Sequence, residues 1–172
     1  SGARDEASDI RRDANLAAAM TQIEQALLSG APFAPALADA TSLSGESAPA
    51  ALANNAATGL PTLEDLSAGF PAAAQAAYAA ALEEGAGDSF TGGVIAKLQG
   101  RLGGRPSVET EGDDAGAVLS RVDARLKAGR LADAVSEASQ LSTTAQAAMS
   151  GWLEELTRAS DGAAAFAKYR DA

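Results

Sequence analysis

Apolar residues recur at helical spacing along most of the chain. Leu16, Met20, Ile23 and Leu27 stand 4, 3 and 4 residues apart, the stripe of a helix packing along one seam, and Gly30 suits its C-terminal stop. The pattern predicts one helix over residues 4–29, readable as the end of a coiled coil. Pro32 and Pro35 among Phe33, Leu37 and Leu43 predict a short helix opened by proline within 31–44, with a polar loop over 41–49. Another short helix is expected over 49–58, closed by Gly59. Thr62 and Asp65 form a variant capping box ahead of the stripe Leu63, Leu66 and Phe70. Pro71 is expected to kink or break that helix, and an alanine-rich helix continues over 72–84 to Gly85 and Gly87.

The C-terminal third is the most regular. Asp113 or Asp114 can cap a helix whose stripe is Val118, Leu119, Val122 and Leu126, with Gly129 at its end. A second helix carries Leu131, Val135 and Leu141. The run Leu126-x-x-Gly129-x-Leu131-x-x-Ala134 lets a glycine turn close two helices on a small residue, an αα-hairpin. Ser142-Thr143-Thr144 supplies caps for a third helix, where Met149, Trp152, Leu153 and Leu156 keep i, i+3, i+4, i+7 spacing. Asp161 or Gly162 is expected to break it before a last short helix with Phe166 and Tyr169. Leu119, Val122, Leu126, Leu131, Val135, Met149, Trp152, Leu153 and Leu156 are thus the candidates for core or self-association. Trp152, the single tryptophan, reads as core or subunit interface, with a partner pocket as the other alternative.

Composition fixes the fold class. Of 172 residues 45 are alanine and 18 leucine, while valine and isoleucine together number 8. That is too few for a sheet of any size, and alanine and leucine are the strongest helix formers because they lose little side-chain freedom in a helix. The chain is expected to be all-α, built of helical hairpins and a small bundle. Leu, Ile, Val and Phe make up only 30 of 172 residues. With so lean a core, close packing on alanine or a partner must supply the rest of the stability.

The absence of Cys and His removes disulfides, thiolate nucleophiles, imidazole bases and the usual transition-metal ligands. Three acidic pairs remain, Glu83-Glu84, Asp113-Asp114 and Glu154-Glu155, but adjacent helical residues point about 100° apart and do not converge on one atom. They read as caps and solvated faces. The glycines match no phosphate-cradling spacing and read as punctuation. The chain is therefore expected not to be an enzyme and to need no cofactor. The apolar run Ala76 to Leu82 is far short of the roughly 20 residues that span a bilayer. The charged start, from Arg4 to Arg12, is no signal peptide, and Ser1-Gly2 reads as a cloning remnant. The segment is expected to be soluble, with room for an anchor upstream in a longer parent.

Charge is uneven. Residues 3–29 carry 3 basic and 5 acidic residues, 30–87 carry 6 acidic and no basic ones, and 106–172 carry 7 basic and 11 acidic. Only 88–105 is net positive, with Lys97, Arg101 and Arg105 against Asp88. An acidic chain of this kind is not expected to bind nucleic acid. On a helical wheel Val94, Ile95, Leu98 and Leu102 share an arc of about 100° with Lys97 and Arg101 along one edge. A cation beside an apolar stripe can bury its stem and keep its charge at a headgroup, as in an interfacial helix. An ordinary core-facing helix with solvated cations is the plainer alternative. Gly92, Gly93, Gly100, Gly103 and Gly104 oppose a stable helix in isolation, which ordering on a surface would reconcile. Phe90, Val94, Ile95, Lys97, Leu98, Arg101, Leu102 and Arg105 are the candidate membrane-binding residues, with anionic headgroups as the expected lipid partner.

Several of these stretches, in order, resemble the mitofilin family. The C-terminal ones are Gly112-Asp113-Asp114, Val118-Leu119-x-Arg121, Leu126-x-x-Gly129-x-Leu131-x-x-Ala134, Leu141 and Trp152-Leu153. Upstream, Leu28-Ser-Gly30-Ala-Pro32-Phe33 and Ala56-Ala-Thr58-Gly59-Leu60-Pro61-Thr62-Leu63-x-x-Leu66-x-x-x-Phe70-Pro71 are similar to alphaproteobacterial members. The resemblance runs from Ala26 to Leu156. It implies a non-enzymatic membrane-shaping protein with an N-terminal transmembrane anchor, a long coiled coil, lipid-binding amphipathic helices and a helical C-terminal domain on the periplasmic side of the inner membrane. It also implies self-association, as a homo-oligomer of at least two chains, and a periplasmic protein partner. The chain departs from mitochondrial members after Leu141, where Ser142-Thr143 stands in place of a Gly-Trp pair, so their coiled-coil-helix-coiled-coil-helix partner is not carried over.

The expected organisation is a coiled-coil-like helix over 1–29, an acidic helical region over 30–87, the lipid-binding candidate over 88–105 and the signature domain over 106–172. The rival expectation is a soluble tetratricopeptide-like adapter that binds a protein partner without touching lipid. It rests on the hairpin and lacks a second copy about 34 residues away.

Overall fold

A computed structural model describes residues 2–85 and 114–172. Among them the chain is all-α, with eight helices and no strand: α1 (Gly2–Ser29), α2 (Ala34–Ser44), α3 (Ala50–Ala53), α4 (Leu63–Gly85), α5 (Ala115–Lys127), α6 (Leu131–Ala138), α7 (Thr143–Ala148) and α8 (Ser150–Arg170). They fall into two compact units. The first comprises residues 1–62 and 158–172, and the second residues 63–157.

In the first unit α1 packs against α2. Ala19, Ile23 and Ala26 bury the predicted α1 seam, with Leu16, Met20 and Leu27 half-buried against Phe33, Leu37, Ala40, Leu52, Phe166 and Tyr169. α1 ends at Gly30, whose φ of 73° is the left-handed stop that glycine adopts without strain. α2 has a proline in its first turn and runs to Ser44, so residues 41–44 are helical rather than loop. Thr41 bonds back to the Leu37 carbonyl at 2.7 Å, which satisfies its hydroxyl inside the helix. The helix predicted over 49–58 shortens to the single turn of α3, followed by turns to Gly59. There the Phe33 amide donates to the Ala56 carbonyl at 2.8 Å.

The predicted break at Asp161 or Gly162 does not occur. α8 is continuous, and Gly162 sits inside it where a Cβ would collide with the Leu60 side chain. Absence of a side chain there lets Leu60 reach the helix backbone, so this glycine serves packing rather than termination. The punctuation reading fails for Gly69 as well, since Gly69 lies within α4 against the Trp152 ring.

In the second unit α4 packs on α5 and α7, and α5 on α6. Pro71 does not break α4, which runs as one helix from Leu63 to Gly85. A mid-helix proline costs about 3 kcal/mol in isolation, but Leu66, Phe70, Ala74 and Ala77 form one buried stripe that crosses the proline, and that burial favours a continuous helix. Leu63, expected on the stripe, is 42% exposed. The third predicted helix of the C-terminal third is two: α7 ends at Met149, whose φ of −115° and ψ of 20° leave the helical region before α8 begins.

Candidate functional site

Two polar constellations hold the second unit together, and the first is the setting of Trp152. Its indole Nε1–H donates to the Leu66 carbonyl at 2.9 Å, a buried bond across 86 residues of sequence. Its ring meets Phe70 at a centroid distance of 5.1 Å and a tilt of 54°, a favoured aromatic geometry. The indole Cδ1 comes so near the Gly69 backbone that a Cβ would stand 3.2 Å from it. Leu66, Gly69 and Phe70 share one face of α4 by their 3, 4 spacing, so the helix presents a carbonyl, a bare backbone and a ring to one side chain.

The second constellation locks α5 to α6. Asp114 caps α5, its Oδ1 accepting from the Ala117 amide at 2.8 Å, which selects Asp114 over Asp113 as the cap. Gly129, with φ of 71°, turns the chain, and Leu126 and Ala134 are buried at the closure. Across it the Arg121 Nε donates to Glu137 Oε2 at 2.8 Å. Arg125 stands 3.6 Å from the other carboxylate oxygen, and Gln140 bonds both Arg121 and Glu137. The Arg121 and Glu137 side chains are only 15% and 14% exposed, so water screens this pair far less than a surface pair. Glu137→Ala is expected to cost about 2 kcal/mol, since it strips a carboxylate from two half-buried guanidinium groups. A double-mutant cycle with Arg121→Ala, followed by urea unfolding, measures the coupling.

The sequence candidates sort clearly. Leu119, Val122, Leu126, Met149, Trp152 and Leu156 are buried in the chain's own second unit, and Leu131, Val135 and Leu153 are half-buried. On α6 the buried positions are Ala134 and Ala138, so the small residues rather than Leu131 and Val135 meet the core. Six of the nine are thus core of the second unit, and Leu131, Val135 and Leu153 stay partly exposed. Phe90, Val94, Ile95, Lys97, Leu98, Arg101, Leu102 and Arg105 lie outside the described residues. The Arg121, Arg125 and Glu137 cluster was missed by sequence reasoning. Its legible signal was the i, i+4 pair of arginines on the buried side of α5 facing one acid on α6.

Among the described residues no group of acidic side chains is placed to hold a metal ion, and no helix is long and apolar enough to cross a membrane. A shallow, open groove of about 400 Å³ runs between α1 and α2, with Asn15, Gln22, Asp39 and Ser42 on its walls. Its walls mix amide, hydroxyl and one carboxylate without an enclosed apolar floor, unlike the concave sites that hold small molecules. Comparison with protein-family models, with curated proteins and with solved structures found no match for this chain.

Proposed function

We propose that this chain is a non-enzymatic, membrane-organising domain of the mitofilin type, which self-associates and touches the inner membrane of a bacterium from the periplasmic side. The observation that carries the reading is the charge reversal at residues 88–105: in a chain of net charge −10 this stretch alone is net positive. Its cations flank the apolar residues Val94, Ile95, Leu98 and Leu102. Each basic residue near an anionic surface contributes about 1 kcal/mol, and the apolar stripe adds burial in the headgroup region. The acidic remainder is repelled by the same surface, which orients the contact. Several weak contacts on one assembly add avidity. Support also comes from the ordered resemblance from Ala26 to Leu156, within which Val118, Leu119, Leu126, Ala134, Leu141 and Trp152 are buried.

Flotation with anionic and with neutral liposomes, at low and high salt, tests it. The chain is expected to float with anionic vesicles in a salt-sensitive manner, and Leu98→Asp with Leu102→Asp is expected to abolish flotation while leaving the helical signal unchanged. Unaltered flotation of that variant removes residues 88–105 from the reading. The αα-hairpin closed at Gly129 favours a second reading, a soluble helical adapter for a protein partner. Absence of flotation under every condition supports that alternative.

A further inference from the structure

α1 presents two faces of different character. The face that bears Leu16, Ala19, Met20, Ile23 and Ala26 packs into the first unit's core. On the opposite side Ala3, Ala7, Ile10, Ala14 and Ala17 stand 4, 3, 4 and 3 residues apart, within an arc of about 80° on a helical wheel. Every residue from 2 to 15 is exposed, and Ile10, 63% exposed, is one of three large apolar side chains left in water among the described residues. No other described residue covers the first half of α1.

The charges beside the stripe select the cover. Arg12 is held within its own helix by Asp9 and Asp13 at 3.9 and 3.7 Å. Glu6 and Arg11, which flank the stripe, make no ion pair among the described residues. With Ala7 and Ala14 at heptad position a, and Ala3, Ile10 and Ala17 at d, Glu6 falls at g and Arg11 at the following e. In a parallel pair of helices each g residue faces the e residue five positions on in the other copy, so Glu6 meets Arg11 twice. In an antiparallel pair e faces e and g faces g, which sets Arg4 against Arg11 and Glu6 against Asp13. The charges match in one orientation and clash in the other.

We propose that α1 pairs in parallel and in register with α1 of a second copy of this chain, along Ala3, Ala7, Ile10, Ala14 and Ala17. The proposal rests on the self-association in the proposed function and gives it a surface. Alanine at a lets the backbones approach closely, and Ile10 fills the central layer.

The chain has no cysteine, so single-cysteine cross-linking reads the register directly. In a parallel pair the two Ala14 positions face each other within the span a disulfide bridges. Ala14→Cys is expected to give a cross-linked dimer on mild oxidation. Adding Ile10→Asp is expected to lower its yield about tenfold or more, because a carboxylate would be buried in the seam. Glu6→Lys is expected to reduce the yield, and Glu6→Lys with Arg11→Glu to restore it. Cross-linking of an Ala3→Cys chain to an Ala14→Cys chain, with none between Ala14→Cys chains, overturns the parallel register. Sedimentation of the unaltered chain separates the remaining outcomes. A dimer that persists in Ile10→Asp overturns this surface and leaves self-association standing, whereas a monomer at every concentration overturns both.

Discussion

Trp152→Ala is expected to cost about 3–5 kcal/mol, the range for truncating a buried large aromatic side chain. Three losses combine at one site: the apolar area of a residue 93% withdrawn from solvent, the hydrogen bond to the Leu66 carbonyl and the tilted contact with Phe70. Collapse around the void is limited, because the wall opposite is the α4 backbone at Gly69, which has no side chain to swing in. Trp152→Phe keeps a ring and loses the donor, so its cost should be closer to the 1–3 kcal/mol of leaving a buried carbonyl without that partner. Thermal and urea unfolding followed by far-ultraviolet circular dichroism measures both. Equal stability of Trp152→Ala and the unaltered chain would remove Trp152 from the centre of the second unit.

The second large effect is expected at Gly59. Its φ of 83° lies in the left-handed region, where an L-residue costs about 1–2 kcal/mol. A Cβ there also falls onto the carbonyl oxygen of Gly30 and against the Ala31 carbonyl. Backbone cannot swing aside as a side-chain tip can, so the turn after α1 must move, and with it the bond from the Phe33 amide to Ala56. Gly59→Ala is expected to cost about 3 kcal/mol or more in the first unit. Gly45→Ala is the control, because Gly45 has a φ of 75° and nothing within 4 Å of the new methyl. Its cost should be the conformational part alone, about 1–2 kcal/mol. Equal costs at the two positions would show that the crossing of Gly59 over Gly30 does not constrain the turn.

Helix content and most helix ends were legible, because they follow from local rules. Alanine and leucine dominate, Gly30, Gly59 and Gly129 stand at positive φ, and Asp114 and Ser142 accept the amides three residues on. What escaped the sequence were decisions made by tertiary contacts. Pro71 and Gly162 are breakers by local rules, yet each lies inside a continuous helix. One is carried by a buried stripe on both sides, and the other has the Leu60 side chain packed against its bare backbone. Leu63 and Leu131 look like core by hydrophobicity. Ala40, Ala77, Ala134 and Ala145 take the fully buried positions instead, because helices that approach closely leave room only for a methyl. For the candidate site, the proposed membrane contact over residues 88–105 rests on charge and periodicity and lies outside the described residues. The Arg121, Arg125 and Glu137 cluster was legible only as the i, i+4 spacing of its arginines, since their pairing with Glu137 depends on how the Gly129 turn aligns two helices.

The placement of aromatic residues has an optical consequence. The one indole of the chain belongs to the second unit, while the first unit's aromatic core is made of Phe33, Phe166 and Tyr169. Indole emission therefore reports on the packing of Trp152 against α4 in the second unit. A melt monitored at that wavelength and one monitored by backbone ellipticity coincide only if the two units unfold together. Divergence between the curves would measure, without any added label, how far each unit stands alone.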